Sequence, residues 1–149
     1  MQVMTGLRRY VLRTMKEIEY RFSDITDNVI GGAMAVHTAL GNGFPEVVYQ
    51  RSLTIEMRDR GLAFGREVEI PLHYKGEEVG SRRADFLVEG KVLVELKAVS
   101  ILEDVHVAQV LNYLTAYQLE VALLLNFGAR KLEYRRLVKQ QKDKSLKTA

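Results

Sequence analysis

Cysteine and tryptophan are absent from this sequence of 149 residues, and histidine occurs only three times, at His37, His73 and His106. Without cysteine, the chain has no disulfide, no thiol nucleophile and no thiolate ligand for a metal. Three scattered histidines do not favour a histidine-rich zinc site. A bound metal would therefore need oxygen ligands, which suit a hard cation such as Mg²⁺ or Mn²⁺.

Long apolar runs are missing as well. No run approaches the roughly 20 residues that cross a bilayer, and the N-terminus lacks the apolar core of a signal peptide. Hydrophobic residues make up 47% of the chain and charged residues 28%, an ordinary balance for one domain with a real core. We therefore expect a cytoplasmic protein with no membrane partner.

Charge is distributed unevenly along the chain. The net charge is +3, but residues 1–21 carry +3 and residues 130–149 carry +6, which leaves −6 on the residues between them. Basic ends around an acidic body fit a metal centre with arms that contact phosphate groups. Solvated tails that only increase solubility fit the same distribution, so the charge pattern leaves both interpretations open.

The most informative stretch is residues 83–98, in which two apolar segments meet at Glu89-Gly90-Lys91. Glycine in this turn can adopt the positive φ that closes a β-hairpin. A loop of three residues pairs Val88 with Val92, whereas a loop of two residues would reverse the faces of one strand. The segments are apolar on both faces, which is typical of strands covered on both sides.

Three polar side chains interrupt this hairpin. With the three-residue loop, Asp85 lies directly opposite Glu95, with Cβ atoms roughly 5 Å apart, and Lys97 shares the face of Glu95. Two adjacent carboxylates repel each other and so favour a divalent cation or a raised pKa on one of them. With a lysine that neutralises developing charge or orients water, they can support metal-assisted phosphodiester hydrolysis. A solvated cross-strand acid–lysine pair is the alternative.

Periodicity and turn residues predict the remaining elements. Helices are expected over about residues 3–20, 23–40, 45–60 and 101–118, and strands over 64–74, 78–88, 92–97, 120–127 and 131–138. The fourth helix has apolar residues at helical spacing, namely Val105, Ala108, Leu111, Leu114 and Tyr117. Residues 1–21 are expected to form an N-terminal helical extension, 22–138 one domain, and 139–149 a basic, disordered tail. The domain then has the order α-α-β-β-β-α-β(-β).

The first helix has an apolar stripe of Leu7, Val11, Met15 and Ile18. Three roles are consistent with this stripe: packing on the body of the protein, contact in a homodimer, or service as a mobile extension.

Two other helices supply polar candidates. Glu46 and Tyr49 share a face near the start of one helix, although Glu46 is also explained as a first-turn acid that the helix dipole favours. His106, Gln109 and Tyr113 align on another helix, where Gln109 and Tyr113 could reach a phosphate or a base near the hairpin. A polar shoulder without function explains these three equally.

The order of these features resembles the PD-(D/E)XK nuclease superfamily. An acid lies in a leading helix, Asp85 lies in a meander, Glu95-x-Lys97 lies on the next strand, and a helix and a strand follow. Within this superfamily, Gly43-Phe44-Pro45-Glu46-Val47-Val48-Tyr49 is similar to the signature of the GxxExxY family, and the resemblance covers about residues 22–138. Gln109 and Tyr113 are similar to the Gln-x-x-x-Tyr motif of the RecB-like exonucleases. One departure is Ala84, which stands where proline is expected before Asp85.

This resemblance implies an α/β (α+β) fold with a restriction-endonuclease-like core, in which a mixed central sheet with a three-strand meander is flanked by helices. It implies Mg²⁺ or Mn²⁺ held by Asp85, Glu95 and the carbonyl of Leu96, with Lys97 as the catalytic lysine. Glu46 would approach the metal from the helix side, directly or through water.

The resemblance further implies that nucleic acid is the partner, with DNA preferred to RNA. Gln109 would join the catalytic group, and together with Tyr49, Tyr113 and His106 it would support the site or contact nucleic acid. The expected activity is hydrolysis of phosphodiester bonds by a metal-dependent nuclease.

The sequence leaves two other functions open. One is a catalytically silent nuclease-like scaffold that binds nucleic acid or a protein partner, which the acidic body favours because non-specific nucleases need positive surface near the cleft. The other is a dimerisation or regulatory subunit, in which the first helix buries Leu7, Val11 and Ile18 against a partner chain.

Overall fold

The computed structural model describes the backbone of residues 2–139 and the side chains of residues 6–17 and 20–139. Nine elements follow one another in this part of the chain: α1 (Gln2–Glu19), α2 (Ser23–Leu40), α3 (Glu46–Asp59), β1 (Phe64–Tyr74), β2 (Glu77–Val88), β3 (Val92–Lys97), α4 (Asp104–Tyr117), β4 (Val121–Asn126) and β5 (Glu133–Val138). The predicted order of helices and strands is confirmed.

The ends of the helices and strands also agree closely with those predicted from the sequence. The helix α2 and the strand β1 begin and end at the predicted residues, and most other ends differ by one or two. The helix α4 begins three residues later than expected because a capping box starts it: the N–H of Glu103 donates to Nδ1 of His106 at 2.9 Å. The predicted disordered tail lies outside the described residues from residue 140 onward.

The five strands form one mixed sheet in the order β1-β2-β3-β4-β5. The strands β1, β2 and β3 make the predicted antiparallel meander, and β4 pairs antiparallel with β5. Only β3 and β4 are parallel, since α4 carries the chain back to the other end of the sheet between them. Pro71, which has no N–H to donate to a neighbouring strand, lies in β1, and β1 forms one edge of the sheet.

Helices cover both faces of the sheet. One apolar cluster joins α2 and α3 to one face, with Val29, Leu53 and Phe86 among its buried members. A second cluster joins α4 to the other face through Val110 and Leu114. The strands β3 and β4 are buried almost throughout, as expected for strands covered on both sides. The fold is therefore the predicted restriction-endonuclease-like arrangement.

The exposed surface includes two helical stripes that the sequence singled out. Leu7, Val11 and Met15 of α1 are all exposed, as are Val105 and Leu111 of α4. The helical spacing that predicted α4 was correct, but of its stripe only Leu114 and Tyr117 pack in the core, where Val110 from a neighbouring position joins them. The buried face differs in part because apolar residues surround most of this helix. No helix of residues 2–139 is both long and apolar enough to cross a membrane.

The loop after β4 passes very close to the chain that leaves β3. A Cβ atom on Gly128 would lie 2.4 Å from the backbone nitrogen and oxygen of Val99. Asn126 holds the same two segments together, because its Oδ1 accepts from the N–H groups of Val99 and Gly128, each at 3.0 Å. The chain that follows Lys97 is therefore fixed to β4 by side-chain hydrogen bonds.

We expect Gly128→Ala to destabilise the fold by about 2 kcal/mol or more, because its methyl group would overlap backbone that cannot easily move. The matched control is Gly80→Ala in β2, where nothing lies within 4 Å of an added Cβ. This control should be neutral or stabilising by roughly 0.5 kcal/mol, since alanine orders with less entropy loss than glycine. Urea unfolding measures the stability of both variants. Equal changes in the free energy of unfolding for Gly128→Ala and Gly80→Ala would contradict the close contact at Gly128.

Candidate active site

The β2–β3 hairpin has the register that the sequence predicts. Val88 pairs with Val92 across the three-residue loop, and the ladder continues through Leu87 and Leu93 to Phe86 and Val94. Regular pairing stops there, one position before Asp85 and Glu95. The two strands therefore part at the position that carries the predicted carboxylates.

Each carboxylate then reaches across the gap to the backbone of the other strand. The N–H of Leu96 donates to Oδ2 of Asp85 at 2.8 Å, and the N–H of Asp85 donates to Oε1 of Glu95 at 3.1 Å. These two bonds replace the ladder and hold the two carboxylates beside each other. Glu95 is only 6% exposed, whereas Asp85 is half-buried.

A kink in β1 lies next to Asp85. Arg66 pairs with Phe86 and Val68 with Ala84, which leaves Glu67 opposite Asp85, and Glu67 has a φ of 54°. A glutamate whose backbone adopts the left-handed conformation inside a strand is strained. Across this kink the buried face of β2 changes sides, because Phe86 packs in the α2–α3 cluster and Ala84 in the α4 cluster.

The helix α3 contacts Asp85 through a residue that the sequence did not indicate. Gln50 is buried, and its Nε2 donates to Oδ1 of Asp85 at 3.0 Å. Arg66 of β1 in turn donates from Nε to Oε1 of Gln50 at 3.1 Å. Both oxygens of Asp85 therefore accept a hydrogen bond, one from α3 and one from β3.

Glu46 and Lys97 lie within electrostatic reach of these carboxylates. Loss of hydration around the Glu46 carboxyl group raises its pKa, although the residue as a whole is exposed. The charge of Asp85 raises this pKa further, while Lys97 lowers it. The interaction of Glu46 with both residues places the start of α3 near Asp85 in β2 and near the end of β3.

Burial raises the pKa of Glu95 to about 8, and the charge of Asp85 acts in the same direction. The hydrogen bond from the Asp85 N–H and the charge of Lys97 oppose this shift but do not cancel it. Without a cation, Glu95 therefore retains its proton at neutral pH. The raised pKa that we expected for two adjacent carboxylates is present on the more buried one.

The helix α4 borders the site on the other face of the sheet. Burial raises the pKa of Tyr113, and the charges of Glu95 and Asp85 add to this while Arg82 opposes it. One turn further along, the hydroxyl of Tyr117 donates to the Val68 carbonyl and accepts from the Ala84 N–H at 3.1 Å. Tyr117 thus joins α4 to both β1 and β2 beside the kink.

The other predicted residues occupy three different surroundings. Gln109 is exposed on α4, and His106 belongs to the capping box at the start of that helix. Tyr49 is fully buried and stacks on Phe127 with ring centroids 4.7 Å apart. Its hydroxyl donates to the Gly41 carbonyl at 2.6 Å, so Tyr49 holds the loop that leads into Glu46.

A comparison with protein families matches most of the chain. The model of the PD-(D/E)XK nuclease superfamily matches residues 23–137, which is more than three quarters of the chain. This chain belongs to the PD-(D/E)XK nuclease superfamily. Asp85 and Glu95-x-Lys97 lie within the matched region, on the adjacent strands β2 and β3.

A solved structure shares the fold at low sequence identity. The crystal structure of SSO0001 superposes with a TM-score of 0.51 and 16% identity, over 85% of this chain and 63% of that one. The chain thus spans less than two thirds of that protein, and the likeness concerns the fold alone. No curated protein matches this PD-(D/E)XK chain.

The donor set of this PD-(D/E)XK site suits a hard cation. Asp85 and Glu95 supply two adjacent carboxylates, and the predicted third ligand is the main-chain carbonyl of Leu96. Among the side chains of residues 6–17 and 20–139, no three His, Cys, Asp or Glu are grouped as a metal site would group them. The two modes expected for Glu46, direct contact with the metal and contact through water, both stay predictions.

Sequence reasoning missed three residues of this site. Gln50 follows Glu46 by four residues, and Tyr117 follows Tyr113 by four, so helical spacing could have placed both on the faces that border the site. Arg66 had no such signal, because its contact depends on how β1 crosses α3. A polar residue one helical turn after a predicted site residue is therefore a useful indication that it also borders the site.

We expect Glu95→Gln to stabilise the metal-free protein increasingly as pH rises. Wild-type Glu95 keeps its proton up to about pH 8 when folded but releases it near pH 4.5 when unfolded. The folded state binds more protons across this window, so wild-type stability falls as pH rises through it. Glutamine does not titrate, so the variant avoids this loss of stability, which should exceed about 1 kcal/mol in the free energy of unfolding at pH 9.

Thermal unfolding in EDTA at pH 5, 7 and 9 measures this effect. At pH 9, the variant should unfold several degrees above the wild type, because about 1 kcal/mol corresponds to roughly 2–4 °C at this size. The exposed Glu77→Gln is the control and should follow the wild type. Parallel curves for Glu95→Gln and wild type at all three pH values would contradict the raised pKa.

Proposed function

We propose that this protein is a metal-dependent nuclease that hydrolyses phosphodiester bonds of DNA at a centre formed by Asp85, Glu95 and Lys97. The observation that carries the proposal is the pair of crossed hydrogen bonds, which holds the Asp85 and Glu95 carboxylates together at the gap between β2 and β3. Mutual repulsion of two such groups is relieved when a divalent cation binds.

In this proposal Mg²⁺ or Mn²⁺ supplies Lewis acidity and lowers the pKa of water at the site. Asp85 and Glu95 would hold the cation, together with the carbonyl of Leu96. Lys97 lies within electrostatic reach of Glu95, where its ammonium can neutralise negative charge that develops on the phosphoryl oxygens or orient the attacking water. Glu46 would approach the cation from the helix side, directly or through water.

Residues of α4 complete the proposed substrate site. Tyr113 lies near both carboxylates, and Gln109 is exposed one turn before it, so both can contact a phosphate or a base next to the reacting bond. His106 fixes the start of this helix through its contact with Glu103. The Gln-x-x-x-Tyr spacing supports this assignment.

The role of Tyr49 in the proposal is structural support. Its buried ring and hydroxyl hold the loop before α3, which orients Glu46 toward the site. A Gly-x-x-Glu-x-x-Tyr motif that combines a loop, a site acid and a buried anchor supports membership of the GxxExxY family. DNA as the preferred substrate, a homodimer formed through α1 and location in the cytoplasm stay predictions.

We expect the purified protein to cleave labelled DNA in Mg²⁺ or Mn²⁺ and not in EDTA. A panel of single-stranded, double-stranded and branched DNA and RNA also identifies the substrate. Asp85→Asn and Lys97→Ala should each reduce cleavage by more than about 100-fold, because each removes charge that the transition state requires. Lys91→Ala, at the opposite end of the hairpin, is the control and should retain activity.

Cleavage that survives replacement of Asp85 would contradict the proposed centre. If no substrate is cut by the folded protein, the nuclease proposal fails, and salt-sensitive binding of nucleic acid would then indicate the catalytically silent scaffold.

A further inference from the structure

Gln50 and Arg66 form a chain of two hydrogen bonds that ends on Asp85. The links are Arg66 Nε to Gln50 Oε1 at 3.1 Å and Gln50 Nε2 to Asp85 Oδ1 at 3.0 Å. The chain connects three elements, since Arg66 lies on β1, Gln50 on α3 and Asp85 on β2. Neither Gln50 nor Arg66 belongs to the motifs that identify the superfamily.

The contact to Arg66 decides which end of the Gln50 amide faces Asp85. A glutamine amide can rotate by half a turn and exchange its NH₂ and its oxygen. Because Arg66 only donates, it selects the orientation in which Oε1 faces Arg66 and Nε2 faces Asp85. The opposite orientation would bring the amide oxygen against a carboxylate oxygen, which is repulsive.

Burial makes this orientation matter. Gln50 is 6% exposed, so water cannot readily replace a lost partner, and an unpaired buried amide is costly. Asp85 also lies where the regular ladder between β2 and β3 has stopped, so its side chain lacks the support of a paired strand on that side. Its two oxygens are held instead by Gln50 and by the Leu96 N–H.

We propose that Gln50 is a positioning residue that aims the Asp85 carboxylate at the bound cation, and that Arg66 acts through Gln50 by fixing its amide orientation. This inference rests on the proposed function, because it assigns Asp85 to a divalent cation. Hydrogen bonds to ligating carboxylates commonly account for a tenfold to hundredfold change in metal affinity. The proposal thus extends the site to the edge strand β1.

The test is a double-mutant cycle read by direct Mn²⁺ binding in calorimetry, without nucleic acid. Gln50→Leu removes the donor to Asp85, and Arg66→Met removes the group that orients the amide. Each should weaken Mn²⁺ binding roughly tenfold. In the double variant the effect of Arg66→Met should disappear, since Arg66 has nothing left to orient. Arg66→Lys, which keeps a cationic donor, should restore part of the affinity.

Two controls separate this inference from the function on which it rests. Asp85→Asn should abolish Mn²⁺ binding, and Arg51→Met, an exposed arginine on the same helix, should leave it unchanged. If Asp85→Asn abolishes binding while Gln50→Leu and Arg66→Met bind as the wild type does, the positioning role is wrong and the function stands. If the wild type binds no Mn²⁺, or Asp85→Asn binds it equally well, both proposals fail.

Folding is monitored by thermal unfolding of every variant. Arg66 is exposed, so Arg66→Met keeps the test valid even if the buried Gln50→Leu does not fold. Independent, additive losses in the double variant would contradict the claim that Arg66 acts through Gln50, as would an unchanged affinity in Arg66→Met.

Discussion

Burial of the Asp85 and Glu95 carboxyl groups side by side is the constraint on which the account of this site depends. The fold brings them together where β2 and β3 part, and each is bound to the backbone of the opposite strand. Burial, followed by the charge of Asp85, raises the pKa of the more buried Glu95 to about 8. A site that is strained without a counter-charge favours a cation strongly when one is present.

The rest of the fold serves to hold that pair in place. From one face of the sheet α3 contributes Gln50 to Asp85, and from the other face α4 anchors the β1–β2 strands through Tyr117. Behind Lys97, Asn126 and the close approach of Gly128 fix the chain that leaves β3. The site is thus carried by rigid elements, which suits chemistry that depends on accurate placement.

Much of this could be predicted from sequence because the signals are local. A glycine-containing turn set the hairpin register, and continuous apolar runs predicted buried strands. The kink at Glu67 could not be predicted, because glutamate has no preference for a left-handed backbone. The contacts of Gln50 with Arg66 and Asp85 could not be predicted either, since these residues are far apart in sequence and meet where α3 crosses the sheet. The buried face of α4 was ambiguous because apolar residues surround it.

Proton release on Mn²⁺ binding tests most directly whether this carboxylate pair is a cation site. Calorimetric titration at pH 7 in buffers of different ionisation enthalpy gives the number of protons released per cation. Because the pKa of Glu95 is about 8, we predict release of about one proton from the wild type and none from Glu95→Gln. Mn²⁺ binding without proton release, or equal release from both proteins, would contradict the account.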